Sequence, residues 1–463
     1  MKEAKMRRRI GNHRKRPPDL LSNLPDEILC TILRLLPIDE AVRSSVLSKR
    51  WRFLWKQTSH LDFDVKHMIH PFTGLINASP NSHLYYILNL NKEEGVNRYG
   101  ILFFLILRQH LADVTSCRFL HLPSMKLDTW IKLLVEKKKG LKDLTLECED
   151  IGMVMNRPFP STNRFRSILS SLRSLELTYY FLKTSYAFKS CRNLKTLKLE
   201  KMNLNDKTIN GILANCVSLE NFRLIRSDGF SKIYIKNSNL KLLELKYLRM
   251  NDIEVYAENL QVLVLASVVC PLKNLVLVAQ NLRVLNCCNN RHFPILDPVL
   301  KYQDLLEICS DLREFKRSYI FRNLSSLSID LDLNKEREAL SILSILGSSV
   351  HLQTLRIIVP VRENANLRTI DTSARTVEDL YNFLKRGEIS NYNGHKLKFV
   401  YIEGFTGTEL EEQFIRHLIL NSTKMKMITA VCYSSVDAQE LLSLRIPSMN
   451  FTIKLMLGKP SSM

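Results

Sequence analysis

The chain has 463 residues, of which 45% are hydrophobic and 24% are charged, and its formal net charge is +21. This length exceeds the roughly 100–200 residues of one domain, so two or three structural units are expected, and the apolar content excludes wholesale disorder. Neither a GxxxxGK nor a GxGxxG motif occurs, which excludes the common phosphate-binding loops. The longest apolar run, residues 101–107, is far shorter than the roughly 20 residues that span a bilayer. We therefore expect a soluble, intracellular protein without membrane partners.

The first sixteen residues form a basic segment with eight Lys or Arg and one Glu. Because apolar residues are almost absent there, residues 1–18 are predicted to be a disordered tail. Its two basic clusters consist of Arg7, Arg8, Arg9, Arg14, Lys15 and Arg16. Such clusters suit the acidic groove of a nuclear import receptor, which predicts a protein of the nucleus, the cytoplasm or both. A solvated arm without a partner is the main alternative, and direct nucleic-acid binding is the least favoured.

Residues 19–65 indicate three short helices. Pro25, followed by two acidic residues, is a favourable helix start, and apolar residues at four-residue spacing continue until Pro37 stops the pattern. Asp39 is expected to cap a second helix, and Ser48 to begin a third that carries two tryptophans. A unit of this size has little core of its own. Its surplus of large apolar side chains predicts either a permanent partner or packing against the rest of the chain.

This segment resembles a plant F-box over its whole length. The family's opening Leu-Pro pair stands as Leu24-Pro25, its first helix as DEILCTILRLLP, and its third-helix signature as LSKRWRFLW at residues 47–55. The sequence LDFD at residues 61–64 is typical of the plant members. The match is specific, because the spacing between these motifs is also that of the family.

The resemblance implies that the segment binds the small Skp-type adaptor of cullin-based ubiquitin ligases and, through it, a cullin. Carried across residue by residue, it implies adaptor binding by Leu24, Pro25, Ile28, Leu29, Ile32, Pro37, Val46, Leu47, Ser48 and Trp51. Which of the apolar members face the adaptor, and which fill the core between the helices, is left open by the sequence. The chain would then be the substrate-recognition subunit of an SCF-type ligase. The alternative is an adaptor-binding scaffold or nuclear interaction protein without a degradative role.

From residue 141 the phrase L-x-x-L-x-L, or a close variant of it, returns nine times. The phrases begin at Leu141, Leu172, Leu194, Leu219, Leu240, Leu260, Leu282, Leu324 and Leu352. Most intervals fall within 20–29 residues, the period of leucine-rich repeats. Each repeat is expected to contribute one strand with inward leucines, and neighbouring strands to pair in parallel. The predicted fold class is α/β: a three-helix F-box followed by a curved leucine-rich-repeat solenoid over residues 141–360, with a weaker match near residues 290–320.

The residues between the leucines should form the exposed face of this sheet, because alternate side chains of a strand leave the core. Charged residues on the early strands give way to valines and then to polar residues. An apolar centre with a polar rim is typical of a peptide-binding surface. The candidate residues for binding a protein client are Arg223, Glu244, Lys246, Val262, Val264 and Val284. The alternative is that a loop or the carboxy-terminal region covers the valines.

Residues 66–140 are predicted to be a linker and an amino-terminal cap. Residues 101–111 indicate a buried strand or helix, and residues 117–147 indicate strand, helix and strand. Trp130 marks the inner side of the predicted helix. The stretch also resembles the first repeat of the same plant group.

Residues 375–463 resemble the FBD domain that follows the repeats in many plant F-box proteins, above all in IEGFTGTEL and the helix after it. Thr408 and Glu411 predict a capping box at the start of that helix. The region is expected to be an α/β cap on the open end of the solenoid, because terminal repeats need a polar cover.

No constellation of catalytic residues stands out. Cys287, Cys288 and His292 are the one candidate zinc set and lack a fourth ligand nearby, so buried thiols are favoured over a metal site. Neither HExxH nor GxSxG occurs, and the glutamates within residues 409–412 are interpreted as an exposed helix start. We therefore expect a non-catalytic protein that uses no cofactor and no metal.

Overall fold

The computed structural model describes residues 20–21, 23–65, 68, 92–121, 127–137, 140–149, 158–159, 166, 168–270, 274–287, 323–334, 338, 342, 345–346, 349–359, 396–432 and 452–457. These residues divide into two compact units. The first, here called the helical unit, contains the described residues up to 119 together with Lys137 and Gly140. The second, the repeat unit, contains the described residues within 120–136 and from 141 onward. Across the described ranges, no helix combines the length and apolar character needed to cross a bilayer.

The helical unit opens with three short helices, α1 (Asp26–Leu33), α2 (Ile38–Arg43) and α3 (Trp51–Leu54). Short 3₁₀ turns follow α2 at Ser44–Val46 and α3 at Trp55–Gln57. Helix α1 begins directly after Pro25 with acidic residues in its first turn, as predicted.

Two boundaries of these helices differ from the prediction. Helix α1 ends at Leu33 and not at Pro37, because the residue before a proline is disfavoured in the helical region. The amide groups of Leu35 and Leu36 therefore donate to carbonyls three residues back and form a tight turn. In α2 the cap position is Pro37, and Asp39 lies one residue inside the helix, where it pairs with Arg43 at 3.3 Å.

The three helices share a core with the residues that follow them. Strand β1 (His60–Asp64) pairs with β2 (Ser116–His121). Helix α4 (Lys92–Gln109), which lies between these strands in the chain, contributes Phe103 to the same core. The ring of Phe63 lies 4.8 Å from that of Phe103 and 5.3 Å from that of Phe119. Residues 101–109 are thus helical, one of the two predicted alternatives. The prediction that the segment is buried holds for one side only, because Ile101, Phe104 and Leu105 are exposed. The F-box-like helices and this continuation form one folded unit.

The repeat unit is built around one parallel sheet. Its strands are β3 (Asp143–Cys148), β4 (Ser174–Thr178), β5 (Thr196–Glu200), β6 (Asn221–Ile225), β8 (Leu242–Arg249), β10 (Val262–Val269), β12 (Val284–Cys287), β13 (Ser326–Asp330), β14 (Thr354–Ile358), β15 (Phe399–Phe405), β16 (Met427–Cys432) and β17 (Thr452–Leu457). In the sheet they lie side by side in this same order. A second parallel sheet, which the sequence analysis did not predict, consists of β7 (Lys232–Lys236), β9 (Asp252–Tyr256) and β11 (Leu275–Val278). The helices are α5 (Leu127–Lys137), α6 (Asp206–Asn215) and α7 (Glu409–Asn421).

The predicted repeat phrases coincide with strands of the large sheet. Equivalent leucines align across neighbouring strands, as in the row Leu175, Leu197, Phe222. Nearly all of these frame residues are buried, with Leu265 and Leu285 half-buried. The α/β leucine-rich-repeat prediction is therefore confirmed. The weak match near residues 290–320 lies outside the described residues, and β12 pairs directly with β13.

A ladder of asparagines links successive repeats. The side-chain amides of Asn193, Asn239, Asn259, Asn281 and Asn323 each donate to a main-chain carbonyl of the preceding repeat at 2.8–3.1 Å. Each asparagine stands immediately before the first leucine of its phrase. This position is visible in the sequence, but it differs from the asparagine that follows the third leucine in typical leucine-rich repeats.

The large sheet continues beyond residue 360, because β14 pairs with β15, β15 with β16, and β16 with β17. Helix α7 begins with the predicted capping box between Thr408 and Glu411. The interpretation of Glu411 as exposed is wrong, since its side chain is fully buried. Its carboxylate accepts hydrogen bonds from Thr406 at 2.9 Å and Asn334 at 3.3 Å. Burial raises the pKa of this carboxyl group above its ordinary value.

Candidate interaction surfaces

Six large apolar side chains of the F-box-like helices are exposed. They form the apolar helical surface, defined as Ile28, Ile32, Leu35, Val46, Leu47 and Phe53, with 36–86% of each residue accessible. On α1 the exposed pair and the buried pair Leu29 and Leu33 have the same four-residue spacing, so the helix has two apolar faces. One face fills the core of the unit, and the other faces solvent.

The structure separates the residues predicted to bind an adaptor into two groups. Leu29 and Trp51 lie in the core between the helices. Of the two roles that the sequence left open for the apolar members, these two residues therefore fill the core between the helices. Exposed members are Pro25, Ile28, Ile32, Val46, Leu47 and Ser48, while Leu24 and Pro37 are half-buried. Leu35 and Phe53 are exposed as well and were not among the predicted contacts, although both lie within the F-box motifs.

Arg50 links the Leu24-Pro25 opening and the start of α1 to the start of α3. Its guanidinium Nε donates to Asp26 Oδ1 at 2.6 Å, and its Nη2 donates to the carbonyl oxygen of Leu24. The arginine of the LSKRW motif thus fixes the Leu24-Pro25 opening against the start of α3. This role was missed because a sequence motif does not show which residues its charged members contact.

The thiol of Cys30 lies behind α1 and donates to a main-chain carbonyl of α3 at 3.7 Å. Burial raises the pKa of this thiol, and the neighbouring carboxylates Asp26 and Glu27 raise it further. It therefore stays protonated at neutral pH and is a poor nucleophile.

The six residues predicted to contact a client lie on four neighbouring strands. Arg223 on β6 is aligned with Glu244 on β8, which is aligned with Val264 on β10. Arg223 Nε lies 3.1 Å from Glu244 Oε2, and Lys246 also pairs with Glu244. The surface therefore begins with a paired charge cluster.

An apolar row follows on the same face. Val262 is aligned with Val284 on one side and with Leu242 on the other, and each is half-buried. Leu242 was not among the predicted client contacts, although it occupies the equivalent position between repeat leucines. The row is bounded by Ser326 on β13, so the predicted apolar centre with polar neighbours is present.

A polar cavity of about 380 Å³ opens at the starts of β5 to β10. It is lined by Lys195, Ser218, Glu220, Asn239, Lys241, Asn259 and Gln261. Glu220 accepts hydrogen bonds from the ammonium groups of Lys195 at 2.6 Å and Lys241 at 2.8 Å. These two bonds lower the pKa of the Glu220 carboxyl group to about 2. The charges in the cavity are therefore largely paired with each other.

Two sequence predictions fall wholly or partly outside the described residues. The basic clusters between Arg7 and Arg16 lie there, as do Cys288 and His292 of the candidate zinc set, while Cys287 is buried. Across the described ranges, no group of three or more His, Cys, Asp or Glu side chains is arranged to hold a metal ion.

Comparison with known proteins identifies both units. The F-box domain family matches residues 21–61, and the family described as At1g61320/AtMIF1, LRR domain, matches residues 106–445. F-box protein At1g80960 of Arabidopsis thaliana is 32% identical, over 71% of this chain and 67% of its own length. F-box/FBD/LRR-repeat protein At1g78750 of the same plant is 26% identical over 95% of both chains.

A third Arabidopsis relative, F-box protein At3g60790, is 31% identical over 56% of this chain. The chain spans about half the length of that relative, 51%. The F-box helices, the asparagine-linked repeat sheet and these matches agree over nearly the whole described chain. The chain belongs to the plant F-box/LRR-repeat family, which includes F-box/FBD/LRR-repeat members.

Proposed function

We propose that the chain is the substrate-recognition subunit of an SCF-type ubiquitin ligase. In this proposal the apolar helical surface binds a Skp-type adaptor and, through it, a cullin, while the repeat face binds a protein client. The observation that carries the proposal is the exposure of large apolar side chains on helices whose opposite face is already packed. Exposed apolar surface of this kind marks protein interaction sites.

The contribution of such a subunit to ubiquitin transfer is placement. Holding the ligase and the client on one chain replaces a bimolecular encounter by a local one at high effective concentration. F-box/LRR proteins are generally non-catalytic adaptor subunits, and we infer the same for this chain, with no cofactor. The Cys30 thiol, whose pKa is raised, is not suited to carry ubiquitin.

Adaptor binding is tested by the double change Leu24→Ala and Pro25→Ala in the full chain. We expect a loss of about 2–4 kcal/mol of adaptor affinity, because the F-box resemblance implies that this pair contacts the adaptor and a few contacts carry most of the energy of an interface. The matched control is Val217→Ala with Val350→Ala, two exposed apolar residues of the repeat unit. Calorimetric titration with the adaptor measures the effect, and unchanged affinity in the Leu24/Pro25 variant would contradict the proposal.

Measuring the turnover of client proteins distinguishes the ligase proposal from its alternative, a scaffold without a degradative role. Proximity labelling identifies proteins near the chain, and their half-lives are then compared between wild type and the Leu24/Pro25 variant. The ligase proposal expects the labelled clients to live longer with the variant. A scaffold would bind the same proteins without changing their half-lives. Point variants are preferred to deletion because the F-box helices share their core with β1 and α4.

We also propose that the basic clusters direct nuclear import. Their charge and spacing are the support for this proposal. A fluorescent reporter carrying residues 1–18 should accumulate in nuclei, and alanine at all six basic positions should return it to the cytoplasm.

A further inference from the structure

A row of residues with left-handed backbone conformation crosses the large sheet near the carboxy-terminal ends of successive strands. Positive φ angles occur at Tyr179 (65°), Lys201 (51°), Arg226 (48°), Tyr247 (54°) and Ser267 (55°). Each stands two residues after the last apolar position of its repeat phrase. The first three follow β4, β5 and β6 directly, and Tyr247 and Ser267 lie within β8 and β10, two residues before those strands end. The row is therefore a repeated feature of the fold and not a single irregular loop.

This position would suit glycine better than a large side chain. Residues with a Cβ are strained in the left-handed region, and tyrosine, lysine and arginine are not the residues that tolerate it well. The equivalent position in β15 is Gly404, with φ 81°. Glycine is thus compatible with this repeat geometry. The four large residues, Tyr179, Lys201, Arg226 and Tyr247, adopt it with backbone strain. Strained residues of this kind concentrate at functional sites.

The four large side chains form a mixed aromatic and basic set. Lys201 Nζ lies 4.3 Å from the ring centre of Tyr179, and Arg226 Cζ lies 4.7 Å from that of Tyr247. Because β4, β5, β6 and β8 are neighbours, the order along the edge is Tyr, Lys, Arg, Tyr. Arg226 and Tyr247 are exposed, and the other two are half-exposed. We call this set the Tyr–Lys–Arg–Tyr edge.

The two cations of this edge differ from Lys198 and Arg223 in how their charges are paired. On the adjoining face, Lys198 pairs with Glu200 at 2.9 Å, and Arg223 pairs with Glu244. Within the described part of the chain, Lys201 and Arg226 form ring contacts but no ion pair. Two adjacent positive charges are therefore available to an external anion, with aromatic rings on both sides.

We propose that the Tyr–Lys–Arg–Tyr edge binds an extended acidic segment of a protein client. The inference rests on the proposed function in that the owner of the segment is a client. The edge spans three strand spacings, about 14 Å, which equals about four residues of extended peptide. Carboxylates of the segment accept charge-assisted hydrogen bonds from Lys201 and Arg226, and the tyrosine rings pack against its side-chain carbons.

The test uses the full chain and a fluorescein-labelled peptide of sequence Glu-Ser-Glu-Ser-Glu-Ser. We expect saturable binding that weakens with salt, and about tenfold weaker binding when glutamine replaces every glutamate. The variant Lys201→Gln with Arg226→Gln should also lose about tenfold, because both charged donors are removed. Glutamine is as strained as lysine in this backbone region, so the substitution leaves the local geometry comparable.

The matched control is Lys207→Gln with Lys236→Gln, which removes two exposed cations from α6 and β7. We expect this variant to bind the peptide as wild type does and all variants to unfold at similar temperatures. Equal losses in the two variants would show a nonspecific charge effect and overturn the inference. Preference for a phosphoserine peptide or for single-stranded RNA over the glutamate peptide would overturn it too.

Failure of this inference is distinguishable from failure of the proposed function. Peptide binding is measured without adaptor, and adaptor titration is measured without peptide. If the glutamate peptide fails to bind while the adaptor binds, the acidic-segment inference is wrong and the proposed function stands. If the adaptor fails to bind, the proposed function is wrong whatever the peptide result.

Discussion

The helical unit and the repeat unit differ in how far their apolar side chains are exposed to solvent. In the helical unit, α1 buries Leu29 and Leu33 and leaves Ile28 and Ile32 exposed on its other side. In the repeat unit the frame of the phrases is almost completely buried, and the face between the leucines carries mainly polar or paired charged residues. Helical periodicity lets a short element carry two apolar faces, whereas a strand in a one-sided frame alternates inward and outward. Exposed apolar surface is thus concentrated in the unit that we assign to adaptor binding.

The largest expected effect is a loss of stability at the core of the repeat unit. Phe222→Ala should lower the free energy of unfolding by about 3–5 kcal/mol, because the side chain is fully buried and its loss leaves a cavity. Val46→Ala, which shortens a residue that is 86% exposed, should change stability by less than about 0.5 kcal/mol. Urea unfolding followed by circular dichroism measures both. Similar losses in the two variants would show that the apolar helical surface is structural.

A smaller effect concerns the ladder between repeats. Asn239→Ala should cost about 0.5–1.5 kcal/mol, because it removes the 3.1 Å hydrogen bond from the side-chain amide to the carbonyl of Val217. Asn239→Asp keeps the size of the side chain and removes the same donor, so it should destabilise as well. An aspartate variant as stable as wild type would show that shape, and not the hydrogen bond, matters there. The same urea titration gives both values.

The smallest effect is pH dependence at Glu220. Its folded-state pKa, about 2, lies below the ordinary value of 4.5 for glutamate, so the unfolded state binds the proton more readily. The stabilisation is therefore present above about pH 4.5 and is lost as pH falls towards 2. Glu220→Gln should flatten the stability curve over this window, and added salt should do the same, because the lysine pairs are partly exposed. Thermal unfolding scans across the window test the slope, and an unaltered slope would contradict the assignment.

Local sequence patterns predicted several features correctly. The repeat leucines, the strand–helix–strand order of residues 117–147 and the capping box at Thr408 depend on spacing alone, and all three are present. The burial of Glu411 could not be predicted this way. Its hydrogen-bond partner Asn334 lies 77 residues away in the chain, so its environment is created by the fold.

The same division holds for the candidate surfaces. The F-box resemblance identified four of the six residues of the apolar helical surface, but it did not separate Leu29 from Ile28, because both fit the same helical spacing. The charge and valine series predicted the proposed client face, while the left-handed row at Tyr179 to Ser267 leaves no distinctive residue pattern. Side chains at those positions become a surface only when neighbouring strands align them.

By itself the sequence determined the family, the repeat frame and the helical periodicity. Each of these follows from the spacing of apolar residues and motifs along the chain, which does not depend on distant contacts. The tertiary structure alone decided which face of α1 is packed, which charges are paired, and which four residues form the Tyr–Lys–Arg–Tyr edge. These outcomes depend on contacts between residues far apart in the chain, which are fixed only when strands and helices pack together.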